Sequence, residues 1–122
     1  MEKYFVTYKQ AVALKEIGYN KYSWFGMECS LYKADGNHTF YANGIGDETY
    51  ISAPLKSQVF EFFRSYRLTV VIEDYLDDYE VKIVEWALSD DRITHEFPNR
   101  FDSWGDAESA AIDKLIELVK KK

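Results

Sequence analysis

Few side chains in this sequence have the type and setting for covalent or acid–base chemistry. They are one cysteine (Cys29), two histidines (His38 and His95) and a dense run of carboxylates. A cysteine attacks only as thiolate, which needs a base or a positive field beside it. Cys29 falls within "WFGMECSLYK", where Phe25, Met27, Cys29 and Leu31 alternate with polar residues, as on the buried side of a strand. A cysteine so placed is an inert small hydrophobe. His38 and His95 lie in separate hairpins, and no local signature joins either to Cys29. No catalytic residue is expected.

From Glu73 to Asp91, eight acids stand against a single base, Lys82. Neighbouring carboxylates such as Asp77 and Asp78 do acid–base work only in a desolvated cleft, and a hairpin tip is wet. H-E-x-x-H, H-x-H and C-x-x-C spacings are absent, and "DGNHTFYANGIGDE" lacks the ligand ladder of a calcium loop. "NGIGDE" has neither dinucleotide-binding nor Walker A spacing and reads as a turn. No metal and no cofactor are expected. The acids instead suggest a contact surface: Glu73, Asp74, Asp77, Asp78, Glu80 and Trp86 form the candidate set. Trp24 and Trp104 are further residues of interest, since tryptophan is enriched at interface hot spots, but Trp104, at the start of the last helix, reads first as a hydrophobic staple.

The elements that must carry these residues follow from periodicity. "TYKQAVALKEIG" reads as a helix with a Thr7–Gln10 capping box, a stripe of Ala11, Leu14 and Ile17, and a Gly18 stop. "WFGMECSLYK" and "HTFYA" form a hairpin around Asp35–Gly36, with Leu31 opposite Phe40 and Cys29 opposite Ala42. A second helix has Pro54 in its first turn, with Leu55, Val59, Phe62, Phe63 and Tyr66 inward. Lys56, Glu61 and Arg64 face water, and Phe60 lies off the stripe. "LTVVIEDY" and "YEVKIVEWAL" pair around Asp77–Asp78, with Ile83 opposite Ile72. Glu85 then falls on the apolar side, a conflict that a bulge or a longer turn would resolve. "RITHEF" is a third strand. Ser103 caps a last helix whose stripe is Ala107, Ala110, Ala111, Leu115 and Leu118. The order is α-β-β-α-β-β-β-α, an α+β fold of about five antiparallel strands in two hairpin or meander units with three helices.

The 122 residues fit one domain, expected over 1–122, with enough length to bury a core without disulfides or metal. A net charge of −6 argues against non-specific nucleic-acid binding, which needs cationic surface. The single cysteine, and the lack of a signal-like or membrane-length apolar run, point to the cytoplasm and to no membrane partner.

Two resemblances add context. Helix, three strands and helix from residue 55 to 122 resemble the order in double-stranded-RNA-binding domains, with Ala107, Ala110, Ala111 and Leu115 matching their second helix. That family places basic residues at this helix start, whereas Asp106 and Glu108 stand here, so the likeness implies an architecture without direct nucleic-acid contact. Over most of the chain, "FVTYKQAVALKEIGYN", "ISAPLKSQVFEFFRSYRL" and "DSWGDAESAAIDKLIELVKK" resemble small uncharacterised proteins of tailed bacteriophages and phage-like regions of gut bacteria. The middle hairpin departs most from that pattern. This resemblance implies a phage protein acting in the cytoplasm of a bacterial host cell, and no mechanism.

The expectation is a non-enzymatic protein-interaction module that binds a host or phage protein. One alternative is an acidic decoy that inhibits a host DNA-binding or defence protein. Another is an enzyme of unrecognised type, which would need a pocket around His38, His95 or the acidic strands. An exposed sheet edge would also allow a homodimer.

Overall fold

The computed structural model describes residues 4–21, 23–25, 28–42, 50–87 and 91–121. It has the α+β class, with three helices and two antiparallel sheets among these residues. The chain divides into two compact units, residues 1–55 and 56–122.

In the first unit, α1 (Tyr8–Glu16) begins at the expected capping box. Gln10 N donates to Thr7 Oγ1 and Thr7 N donates to Gln10 Oε1. Gly18, at φ +99°, turns the chain out of the helix in a conformation that disfavours any Cβ. Ala11 and Leu14 are buried as the stripe requires, together with Gln10.

The strand expected over "WFGMECSLYK" is two strands, β1 (Ser23–Phe25) and β2 (Glu28–Tyr32), which pair antiparallel. Gly26 and Met27 lie outside the described residues. β3 (His38–Ala42) covers one edge of β2, while β1 and the short β4 (Ile51–Ser52) share the other. Among the described residues there are therefore seven strands rather than about five.

The β2–β3 register also differs from the expectation. Leu31 faces Thr39 and Cys29 faces Tyr41. A two-residue Asp35–Gly36 loop would need positive φ at both positions, and only Gly36 has it, at +89°. The loop is therefore one residue longer, closed by Gly36 N to the Lys33 carbonyl and by Lys33 N to the Asn37 carbonyl. The one-residue shift moves Phe40 to the face of Ser30, Tyr32 and His38.

In the second unit, α2 (Lys56–Arg64) and α3 (Trp104–Lys120) pack on one face of a sheet of β5 (Leu68–Asp74), β6 (Tyr79–Trp86) and β7 (Arg92–Glu96), against β5 and the central β6. Ser103 Oγ accepts the Asp106 N–H and caps α3 as expected. Ala107 and Ala111 lie against Val81, ringed by Phe60, Val70, Ile72, Tyr79, Phe97 and Phe101. Ile112, Ile116 and Val119 join the buried stripe of α3.

The second helix is turned relative to its expected stripe. Val59 and Phe63 are fully buried, Lys56 is buried too, and Phe60 packs on the sheet-facing cluster. Lys56 Nζ donates to the Gly105 carbonyl, so its stem is covered while its charge meets an oxygen. Pro54 stands ahead of the helix rather than in its first turn. Its carbonyl accepts the Val6 N–H, and Leu55 bridges to Phe5, which holds both residues extended.

The β5–β6 register is offset by two from the expectation, with Ile83 opposite Val70 and Glu85 opposite Leu68. An even offset leaves every side chain on its expected face, so Glu85 stays on the helix side. Its conflict is resolved by a partner and not by a bulge: His95 Nε2 lies 3.1 Å from Glu85 Oε1. The tip is Leu76–Asp77, one residue earlier than expected. Leu76 has φ +74°, Asp77 N donates to the Tyr75 carbonyl at 2.9 Å, and the side chain is 95% exposed. A γ-turn of that hand is strained for any residue with a Cβ. Leu76→Gly should therefore raise the unfolding free energy by about 0.5–1 kcal/mol, because relief of the left-handed strain exceeds the added chain entropy. Urea denaturation checks this, and an unchanged or lower midpoint would contradict it.

Candidate functional site

The expected contact residues do not form one surface. Glu73 and Glu80 are directly opposed across β5 and β6, whereas Trp86 lies six residues further along β6, about 20 Å away. Asp74 accepts the Leu76 N–H through Oδ1 and so belongs to the turn. Asp77 and Asp78 occupy the tip, and Asp90 lies outside the described residues.

The acids also have cations that their own segment does not reveal. Phe101 pairs with Tyr79 through two backbone hydrogen bonds, which brings Arg100 beside the tip. Its guanidinium lies 3.3 Å from Asp78, 3.7 Å from Glu80, and 4.1 Å from the centre of the Tyr75 ring. Lys82 Nζ reaches Glu80 at 3.1 Å. Tyr75 donates its hydroxyl to Glu73, and that hydrogen bond pushes the Tyr75 pKa up. The bond to Glu80 likewise raises the pKa of Lys82. Arg100 is the residue that sequence reasoning missed. It is 22 residues from Asp78 in sequence, and the Tyr79–Phe101 bridge brings it close.

The histidines are spent differently. Ser30 is fully buried and its Oγ donates to the Ala53 carbonyl at 2.8 Å. It therefore accepts from His38 Nε2 at 2.7 Å, which assigns the Nε2–H tautomer from the hydrogen-bond network. A hollow of about 320 Å³ lies beside His38, lined also by Tyr8, Tyr32 and Asn37. The serine behind the ring is sealed off from that hollow with its proton committed elsewhere, so the pair orders the strands and does not form a nucleophile and base. Cys29 is buried as expected, and burial raises its pKa, which disfavours the thiolate. Among the described residues, no three His, Cys, Asp or Glu side chains converge on a possible metal position. No helix of the described residues is long and apolar enough to cross a membrane.

A groove in the second unit has a volume of about 300 Å³. Ser57, Phe60 and Arg64 come from successive turns of one face of α2. Val70 and Ile72 come from alternate positions of β5 on the helix side. Trp104 and Glu108 come from the first two turns of α3. Phe60, Val70, Ile72 and Trp104 make it apolar, and Arg64 and Glu108 supply opposite charges. Trp104 sets its ring edge-on to Tyr79 at 5.7 Å yet remains 47% exposed. It was a residue of interest from sequence, whereas Phe60, Val70 and Ile72 meet it only through tertiary packing. The side chain of Trp24 lies outside the described residues.

Comparison with known proteins returns no matching family model, no significantly similar curated protein and no significantly similar solved structure.

Two outcomes test these assignments. Ser30→Ala leaves the Ala53 carbonyl and His38 Nε2–H without their partner, and should cost about 1–3 kcal/mol of stability by urea denaturation. A change near zero would mean that the serine is not structural. Tyr19 is buried, and that desolvation raises its pKa to about 12. The folded state then holds a proton that the unfolded state loses near pH 10. Stability should be fully present below about pH 10 and fall as pH rises towards 12, and Tyr19→Phe should flatten that part of the fall.

Proposed function

We propose that the protein is a non-enzymatic protein-interaction module whose second unit receives an apolar side chain of an extended partner segment. The observation that carries this reading is the groove beneath Trp104, apolar along Phe60, Val70 and Ile72 and charged only at Arg64 and Glu108. Its volume is at the lower end for ligand sites and suits one large side chain better than a cofactor.

The adjoining β5 edge strengthens the case. Tyr75 N donates to the Asp78 carbonyl at one end of the ladder, and Trp86 N to the Arg67 carbonyl at the other. Alternation between those bonds directs the backbone groups of Leu68, Val70, Ile72 and Asp74 away from β6. A segment added along that edge would make main-chain hydrogen bonds and present alternate side chains to the groove.

The exposed apolar surface supports a binding role in the same unit. Val71, Tyr75, Leu76, Trp86, Ile93 and Trp104 all belong to it. The acidic decoy has less support, because Arg100 and Lys82 offset Asp78 and Glu80. The resemblance to small phage proteins suggests a partner in an infected bacterial cell.

A display library of extended peptides, selected on the full chain, tests the proposal. Selected peptides should share an aromatic or aliphatic anchor, shift the Trp104 indole and the Val70 and Ile72 amide resonances, and bind Trp104→Ala at least about tenfold more weakly. Peptides that bind the variant equally, or shift none of these signals, would refute the groove.

A further inference from the structure

The outer edge of β7 is built to pair with itself. Ala87 N donates to the Asp91 carbonyl at 2.8 Å, so residues 87 and 91 are a hydrogen-bonded pair of the β6–β7 ladder. Alternation from that pair points the backbone groups of Ile93 and His95 toward β6, and those of Arg92, Thr94 and Glu96 outward. The opposite side of β6 agrees, since Trp86 N bonds the carbonyl of Arg67, just ahead of β5. Among the described residues, no strand pairs with that outer edge.

The three outward residues read Arg, Thr, Glu. Laid antiparallel against a second copy about a twofold axis at Thr94, each Arg92 meets the second copy's Glu96, and the two Thr94 residues meet each other. This register uses all three outward residues in hydrogen-bonded pairs, about six bonds in total. Sliding it by two residues loses one such pair and leaves charges opposite threonine. A parallel arrangement in the same register sets Arg92 against Arg92 and Glu96 against Glu96. Hydrogen-bond parity and charge therefore select the same pairing, and a second copy of this strand offers both.

Burial points the same way. Ile93 is 56% exposed on the helix side of this edge. In the twofold register it stands opposite the second copy's His95 and diagonal to the second copy's Ile93, within reach of both. Trp86, 41% exposed with the Arg92 guanidinium 5.8 Å over its ring, lies on the other side of the sheet at the same end.

We infer that the protein forms a symmetric homodimer through β7, joining two three-stranded sheets edge to edge. Sedimentation equilibrium on the full chain should give twice the 14.3 kDa chain mass. Thr94→Pro removes an N–H that points away from β6, so it should yield a monomer with an unchanged far-ultraviolet circular dichroism spectrum. Glu96→Arg sets like charges opposite each other at both ends and should weaken the dimer at least about tenfold. The double exchange R92E/E96R should restore it. A wild-type chain that stays monomeric up to about 1 mM would overturn the proposal. So would a dimer that neither Thr94→Pro nor Glu96→Arg weakens, or one that the double exchange fails to restore.

Discussion

The second unit depends on the close approach of one helix to one strand. Ala107 and Ala111 present almost no side chain, so α3 settles directly on Val81 at the centre of β6. Larger side chains gather at the margin of that contact rather than within it. Phe60 enters from α2, Val70 and Ile72 from β5, and Phe97 and Phe101 from the segment that follows β7. Interiors are packed to the density of organic crystals, so each of these rings is placed by the volume the alanines leave free. The groove is the part of that margin which no residue fills, and Trp104 marks where packing ends and exposed surface begins.

In the first unit, the corresponding constraint is polar. The segment from Ser52 to Leu55 carries backbone groups that need partners, and the buried Ser30 and Ser23 supply three of them. Ser30 accepts into its backbone carbonyl the Ala53 N–H and gives its hydroxyl proton to the Ala53 carbonyl. Ser52 donates to the Lys21 carbonyl, and Ser23 accepts the Leu55 N–H. A buried hydroxyl is costly unless satisfied, which is why His38 is drawn into the same network from the neighbouring strand. The ring then packs among Phe5, Tyr32 and Phe40, so a histidine that reads as a chemical group is in effect part of an aromatic cluster.

Local signals in the sequence were legible, and long-range ones were not. Thr7 with Gln10, Gly18 and Ser103 act within a single turn of chain, and each does what its type implies. Both hairpin registers were displaced, because register depends on the φ values the loop adopts. Gly36 takes the positive φ while Asp35 does not, and Leu76, whose type gives no hint of it, takes one at the other tip. Lys56 looked solvent-facing until Gly105, on another helix, offered its carbonyl. For the candidate site, Trp104 was visible as a type of residue worth inspecting. The floor beneath it was not, since Phe60, Val70 and Ile72 come from elements with different periods that meet only in the fold.

The acidic stretch shows why a count of charges is a poor guide to an electrostatic surface. Eight acids and one base suggest a strong negative field. Folding brings Arg100 against two of those acids and lets Lys82 reach one of them across its own strand face. Such part-exposed pairs contribute little to stability, yet they lower the field that a partner would feel. What remains distinctive in the unit is therefore not its net charge but its two strand edges. That of β5 runs beside an apolar groove, and its outward groups belong to Leu68, Val70, Ile72 and Asp74. That of β7 carries a cation and an anion either side of a threonine. Unpaired strand edges expose hydrogen-bonding groups that attract any extended chain unless something limits the choice. In the proposed pairings, side-chain shape in the groove would limit the choice on β5 and the order of the charges would limit it on β7, so one sheet would keep a partner segment and a second copy apart.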